Sequence, residues 1–330
     1  LSYVRVWHGG AVVGADNEIN GITFGGVGSG TTVDHCEVAF NLDDGFEFFG
    51  GTVNVKWLSV LFVGDDAFDS DEGYQGKGQF LFAMTGAQGN HGTEMDSKTN
   101  SNYNSMPRSH PAFYSMTIIG GGSSGRGGGL MRLREGTGGK FGNVILTNPT
   151  DIGVRIGDCG SEAVTQTLPS SSTSIGMSGD GSSDGYLYFS SNNIIAGASQ
   201  TIRMDCSGKA LTAANFQAIT TSDGLTNVPA NADASVLTSA FNPLPLATGA
   251  ACYSQTDSAP SSWYDAVSCK GAFASPTDNW LEGWSWLDCA NKMASTGVDQ
   301  CTSLPARAFN DLQSTVTQIG GSYTSSLSLA

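Results

Sequence analysis

The sequence predicts an all-β fold, a right-handed parallel β-helix of about 22–27 residues per coil with a C-terminal cap. Three observations predict it. The motifs GITFGG, GFEFFGG and AFDSDEG start at positions 21, 45 and 67, so successive intervals are 24 and 22 residues. Each is preceded by a second strand-like run: LSYVRVWHGG, TTVDHCEVAFN and VKWLSVLFVG. Residues 1–208 show no amphipathic pattern of helical period, which a doubly wound α/β fold would need between strands.

Stacking these runs predicts the columns. Val4, Cys36 and Leu58 fall in one interior column and Val6, Val38 and Val60 in the next, while Arg5, Glu37 and Ser59 alternate with them and face outward. His8 falls on the inward column of Phe40 and Phe62, as a core or near-turn histidine rather than a ligand, and His35 faces outward beside Trp57. That outward aromatic pair, with Trp7, reads either as a sugar-stacking platform or as a surface covered by a neighbouring segment. YSMTIIGG, FGNVILTN and SNNIIAG continue the stack, each followed by a second strand: GLMRLREG, IGVRIGDCG and TIRMDCSG. Residues 99–112, 123–128 and 160–185 read as loops thrown out from the coils. A propeller would need a longer repeat of about 40–45 residues.

Two regions follow, a β-helix over 1–208 and a capping region over 209–330. In the second, LTAANFQAITT reads as a short helix, and a Trp-rich stretch holding Trp280, Trp284 and Trp286 reads as cover for the open end of the solenoid. The chain opens directly in a strand-like segment, without a basic or apolar leader, and so reads as a processed or truncated product. An uncovered first coil would present a strand edge to a partner, which allows end-to-end or lateral self-assembly.

With 15 Lys and Arg against 30 Asp and Glu, the formal net charge is −15. Such a surface disfavours nucleic acid and suits divalent cations. No apolar run reaches the length of a membrane span. Seven cysteines, none in a CxxC unit, disfavour a zinc ribbon and fit an oxidising, extracellular compartment. The expected pairs are Cys159–Cys206, Cys252–Cys269 and Cys289–Cys301, with Cys36 a buried thiol.

The chemistry is expected on the outside of the second-strand sheet. Registering the coils gives one outward column of Thr23, Glu47, Asp69, Asp96, Arg132, Arg155 and Arg203, and a second of Gly25, Phe49, Asp71, Lys98, Arg134, Gly157 and Asp205. Rungs about 4.8 Å apart would gather Glu47, Asp69 and Asp96 within about 10 Å, with Asp44, Asp66, Asp71 and Glu94 nearby. Like charges so close raise one another's pKa. Three resolutions are open. Ca²⁺ could sit among Asp66, Asp69, Asp71, Glu94 and Asp96. The arginines and Lys98 could neutralise the acids as a solvated ladder. One carboxyl could stay protonated as a general acid. His91, beside Glu94 and Asp96 in sequence, is a weaker ligand candidate, and His110 lies in an insert. GGVGSG at 25–30 reads as a turn rather than a phosphate loop, because no helix follows it.

The run from NEINGITFGG through VNVKWL, then GDDAFDSDEGYQGKGQF, resembles a family of uncharacterised secreted bacterial β-helix surface proteins, as does the closing GAF…DNWLEGWSWLD. The resemblance implies a pectate-lyase-like right-handed β-helix and supplies no catalytic residues. The expected function is an extracellular structural or binding protein of the cell surface or matrix. It would be stabilised by Ca²⁺ and would engage an acidic or neutral polysaccharide or a surface protein. The alternative is a Ca²⁺-dependent polysaccharide lyase or glycoside hydrolase acting on acidic glycans, with Asp69, Asp96, Lys98, Arg132 and Arg134 as candidate catalytic residues.

Overall fold

Two parallel sheets wind around one apolar core. The computed structural model describes residues 1–14, 19–97, 102–103, 105–122, 128–159, 187–206, 219–221, 242–244, 252–254, 259, 261–293, 318–319 and 322–323. One sheet takes the longer strand of each coil: β1 (Arg5–Trp7), β3 (Thr32–Ala39), β5 (Asn54–Leu61), β7 (Lys77–Met84), β9 (Ala112–Ile119), β11 (Gly139–Thr147), β14 (Ile194–Ala196) and β16 (Ile219–Thr221), in that spatial order. β13 (Leu187–Phe189) pairs with the start of β11. The other sheet stacks β2 (Ile22–Gly25), β4 (Phe46–Phe49), β6 (Phe68–Asp71), β8 (Thr93–Met95), β10 (Met131–Arg134), β12 (Ile152–Gly157) and β15 (Gln200–Met204) in sequence order. Every pairing within these two sheets is parallel, and together they form the expected right-handed β-helix.

The long strands bend where their register skips a residue. His35, Trp57, Phe80, Ser115 and Asn143 are absent from the Cα pairings on either side of them, and all have φ between 47° and 64°. A non-glycine residue in the left-handed region is uncommon, and its repetition at one place in successive coils folds the sheet into two faces. The side chains form a ladder at the corner: His35 stacks on Trp57 at 4.7 Å, Trp57 on Phe80 at 5.3 Å, and Asn143 Nδ2 donates to Ser115 Oγ at 2.9 Å.

Core columns follow from alternation. Cys36, Leu58, Leu81, Met116 and Val144 share one column, and Val38, Val60, Ala83, Ile118 and Leu146 another, all fully buried. Phe46 stacks on Phe68 and Phe24 on Phe48 from the facing sheet. Gly45 opens its coil where an added Cβ would sit 2.6 Å from the Ala67 carbonyl of the next coil, so no larger residue fits.

Three expectations change. The Trp-rich segment does not cap the end of the described stack. Residues 263–293, including α1 (Trp286–Cys289), run along the outside of the long-strand sheet. Trp286 packs on Phe40 and Phe62, Phe273 on Phe82, and Tyr264 on Tyr114. The physical reason is visible in that sheet's outer surface, where Ala39, Leu61, Phe82, Met84 and Ile119 would otherwise face water. Glu37 and Ser59 therefore point out of the coil and are still fully buried, and His8, stacked on Phe40, belongs to this second layer rather than to the interior. The expected helix at LTAANFQAITT ends instead in β16, which pairs with β14 and carries the stack past residue 208; its remaining residues lie outside those described.

Disulfides join Cys159 to Cys206 and Cys252 to Cys269, and Cys36 is a free, buried thiol. Cys289 is also disulfide-bonded, while Cys301 and the inserts 99–101, 123–127 and 160–185 lie outside the described residues.

Candidate metal centre

The outer face of the short-strand sheet carries the charged column, with one change of register. Thr23, Glu47 and Asp69 align as expected, but Asp69 pairs with Glu94 rather than Asp96, and Glu94 with Arg132, followed by Arg155 and Arg203. Asp96 moves two positions along, into the column of Asp71 and Arg134, where Lys98 was expected; Lys98 lies outside the described residues. Packing explains the shift. In the observed register Thr93 fills the space beside Phe68, and Met95 lies over the small Ser70, whose hydroxyl reaches its sulfur at 3.2 Å. The expected register would have set Met95 against Phe68.

A second ladder runs along the turn that precedes these strands. Asn20, Asp44, Asp66 and His91 each stand two residues before the first residue of the strand column Ile22, Phe46, Phe68 and Thr93. Asp44 Oδ1 accepts the Asp66 N–H at 2.9 Å, and Asp66 Oδ1 accepts the His91 N–H at 2.6 Å. Each turn thus fixes the carboxylate of the turn before it. The two ladders lie side by side and bring together two close sets: Asp44, Asp66 and Asp69, and Asp66, His91 and Glu94. Within each set the potential ligand atoms lie within 4.8 Å of one another, and the half-buried acids Asp43 and Asp65 join Asp44 in a third.

Burial makes this arrangement costly. Asp44, Glu47, Asp66, His91 and Glu94 are all at least nine-tenths buried. Glu47 Oε2 and Asp69 Oδ1 are shut off from solvent and have no hydrogen-bond partner among the described residues. Loss of hydration, reinforced by neighbouring carboxylates, pushes Glu47 up to about 8 and holds Asp44, Asp69 and Glu94 well above the carboxylate range. Asp71, less enclosed, rises to about 6 by the same desolvation.

The arginines do not relieve this group evenly. Arg134 grips Asp96 through Nε at 2.8 and 2.9 Å and reaches Glu94 Oε2 through Nη2 at 2.6 Å. Arg132 pairs through Nη2 with Asp158 while its buried Nη1 has no hydrogen-bond partner among the described residues, and Arg155 and Arg203 share Asp205 at 2.8 Å each. Asp96 is therefore an ion-pair partner, and Asp71 Oδ1 accepts the Glu72 N–H, which leaves Asp66, Asp69 and Glu94 from the expected ligand set inside the close clusters. Asp44 and His91 join them. The signal for Asp44 was present in the sequence as paired aspartates at 43–44 and 65–66, one coil of 22 residues apart, and that for His91 was its place beside Glu94 and Asp96.

Elsewhere, the aromatic ladder at the corner is no open platform. Both faces of Trp57 are occupied, by His35 and Phe80, and Trp284 meets His35 edge-on. Among the described residues no helix is long and apolar enough to cross a membrane.

Comparison with known proteins agrees with the architecture. A family model described as pectate-lyase like beta helix domain matches residues 1–180. Among curated proteins and among solved structures, nothing matches the chain.

Proposed function

Because the chain belongs to the family of pectate-lyase-like β-helix domains, we propose that it is an extracellular structural or binding protein whose outer acidic ladder holds a divalent cation, Ca²⁺ first, at Asp44, Asp66 and Asp69 with Glu47 alongside. The observation that carries this reading is the pair of orphaned oxygens, Glu47 Oε2 and Asp69 Oδ1. A buried carboxylate oxygen without a donor costs free energy that a hard cation with oxygen ligands removes. The disulfides fit an oxidising compartment outside the cell. Glycans or surface proteins are the partners we propose for the exposed coils.

The lyase or hydrolase reading is less well supported. It needs a cationic base or a free acid beside an open groove, whereas Arg134 is committed to Asp96 and Glu94, Arg132 Nη2 to Asp158, and the acids with raised pKa, Glu47 and Glu94, are buried. The deciding experiment is a melting curve of wild type and Asp69→Asn with added CaCl₂ and with chelator. A free cation at 100 times its Kd raises stability by about 2.7 kcal/mol. Wild type should lose such an increment in chelator and Asp69→Asn should have none to lose. A wild-type melting temperature indifferent to both additions would remove the cation and leave an ion-pair ladder.

A further inference from the structure

We propose that Asp66, His91 and Glu94 form a second metal site of a different class, one that selects a borderline transition-metal dication such as Zn²⁺ over Ca²⁺. The inference rests on the reading of the ladder as a cation-binding surface and adds a ligand chemistry that the oxygen-only cluster lacks. Imidazole nitrogen suits Zn²⁺ and its neighbours, whereas Ca²⁺ takes oxygen ligands.

The geometry is that of a metal polyhedron. His91 Nδ1 stands 2.9 Å from Asp66 Oδ1 and 3.3 Å from Glu94 Oε1. Donors bound at about 2.0–2.1 Å in a tetrahedron lie roughly 3.3 Å apart, so little movement separates this set from a coordinated one. Three protein donors are also the number that a zinc site with one open position uses.

The supporting contacts are in place as well. Asp66 Oδ1 is fixed by the His91 backbone N–H, and Glu94 is turned by Arg134, which holds Oε2 at 2.6 Å and leaves Oε1 toward the imidazole. Partners that orient a ligand in this way set the affinity of metal sites. The simpler account is a proton on Nδ1 shared with Asp66. That proton would satisfy Asp66 Oδ1; the orphaned Glu47 Oε2 and Asp69 Oδ1 lie outside this set and bear on the oxygen-only cluster instead, so metal binding itself is what separates the two accounts. Asp66 is common to both close sets, so filling one site will alter affinity at the other.

The test uses the whole chain, CoCl₂ as a spectroscopic probe, and ZnCl₂ and CaCl₂ as competitors. Wild type should give the intense visible absorption of Co²⁺ at low coordination number. Zn²⁺ should abolish that band, and Ca²⁺ at the same concentration should not. His91→Gln should lose the band and at least tenfold in Zn²⁺ affinity while keeping the Ca²⁺-dependent rise in melting temperature. A band unchanged in His91→Gln, or one that Ca²⁺ displaces as readily as Zn²⁺, overturns the proposal. If wild type responds to Ca²⁺ but gives no such Co²⁺ band, this inference fails alone; if it responds to neither metal, the cation reading fails with it. Should His91→Gln not fold, anomalous scattering from Zn²⁺-soaked wild-type crystals decides: a peak bonded to His91 Nδ1 supports the site, and its absence there refutes it.

Discussion

Glu37 and Glu47 occupy outward columns of the two sheets, and both are buried, yet they have opposite surroundings. Glu37 lies under the C-terminal segment, where its Oε1 accepts from Trp7 Nε1 at 2.9 Å and from the Trp286 N–H at 2.8 Å, and its Oε2 from Ser59 Oγ at 2.8 Å. Glu47 lies on the acidic ladder, where Oε2 has no donor among the described residues and the neighbours are other carboxylates. Burial alone therefore does not mark a ligand. The supply of donors separates them: Glu37 is a latch made complete by protein groups, whereas Glu47 has an oxygen that no described protein group completes, which is where the proposed cation would act.

The largest expected effect tests the latch. Glu37→Ala would strip the acceptor from three donors, Ser59 buried and Trp7 and Trp286 part-buried, and should cost about 3 kcal/mol or more in denaturant unfolding, equally with Ca²⁺ and with chelator. Glu47→Gln should do the reverse. In chelator it should be close to neutral, because Glu47, pushed up to about 8, already holds its proton there, and it should forfeit the Ca²⁺ increment. If both substitutions responded alike to chelator, the contrast between the two sites would collapse.

A pH series sharpens the same contrast. Burial raises Glu37 to about 7, and the groups that face it are Arg5, Trp7, Ser59 and Trp286. In the unfolded chain its pKa is the ordinary glutamate value, about 4.3. The folded form therefore holds its proton more tightly, so this group's contribution to stability is full below about pH 4 and is lost as pH rises toward and through 7. The whole change is on the order of 3 kcal/mol. Glu37→Gln should flatten that part of the profile measured in chelator. A slope in Glu37→Gln as steep as that of wild type would assign the titration to the acidic ladder, whose raised carboxyls titrate with the same sign, instead.

Much of the fold was legible because two periods coincide in the sequence, the alternation within strands and the 22-to-24-residue return of GF and AF motifs. Where a coil is regular, as from Phe46 to Phe68, the register followed directly. It slipped at β8, a strand of only three residues, where Met95 looked like the neighbour of Phe68 and the structure places Thr93 there, with Met95 still in the core beside Ser70. That slip also concealed the alignment of His91 with Asp66. The lateral course of residues 263–293 was illegible for a different reason. Alternation marks Phe82 and Leu61 as strand residues but does not say which segment, distant in sequence, will cover them.

The smallest expected effect comes from the far end of the charged column and serves as its control. Arg155 and Arg203 share Asp205, and Arg203 is 44 % exposed along its side chain. Removing Arg203 leaves Asp205 still paired with Arg155 in water-rich surroundings, so Arg203→Ala should cost under about 1 kcal/mol, less still at high salt. Arg134→Ala differs in kind. It would leave Glu94 Oε2 and both oxygens of Asp96 without their cation in a buried setting, where losing one partner costs about 3–5 kcal/mol. It should also make the protein lean harder on added divalent metal, since another negative charge then awaits compensation beside Asp66 and Asp69. Paired melting curves for the two arginine variants, each with CaCl₂ and with chelator, read both quantities at once. Equal, small, metal-independent losses would mean that the acidic end of the column is as well solvated as the basic end, and that its buried oxygens find water rather than a cation.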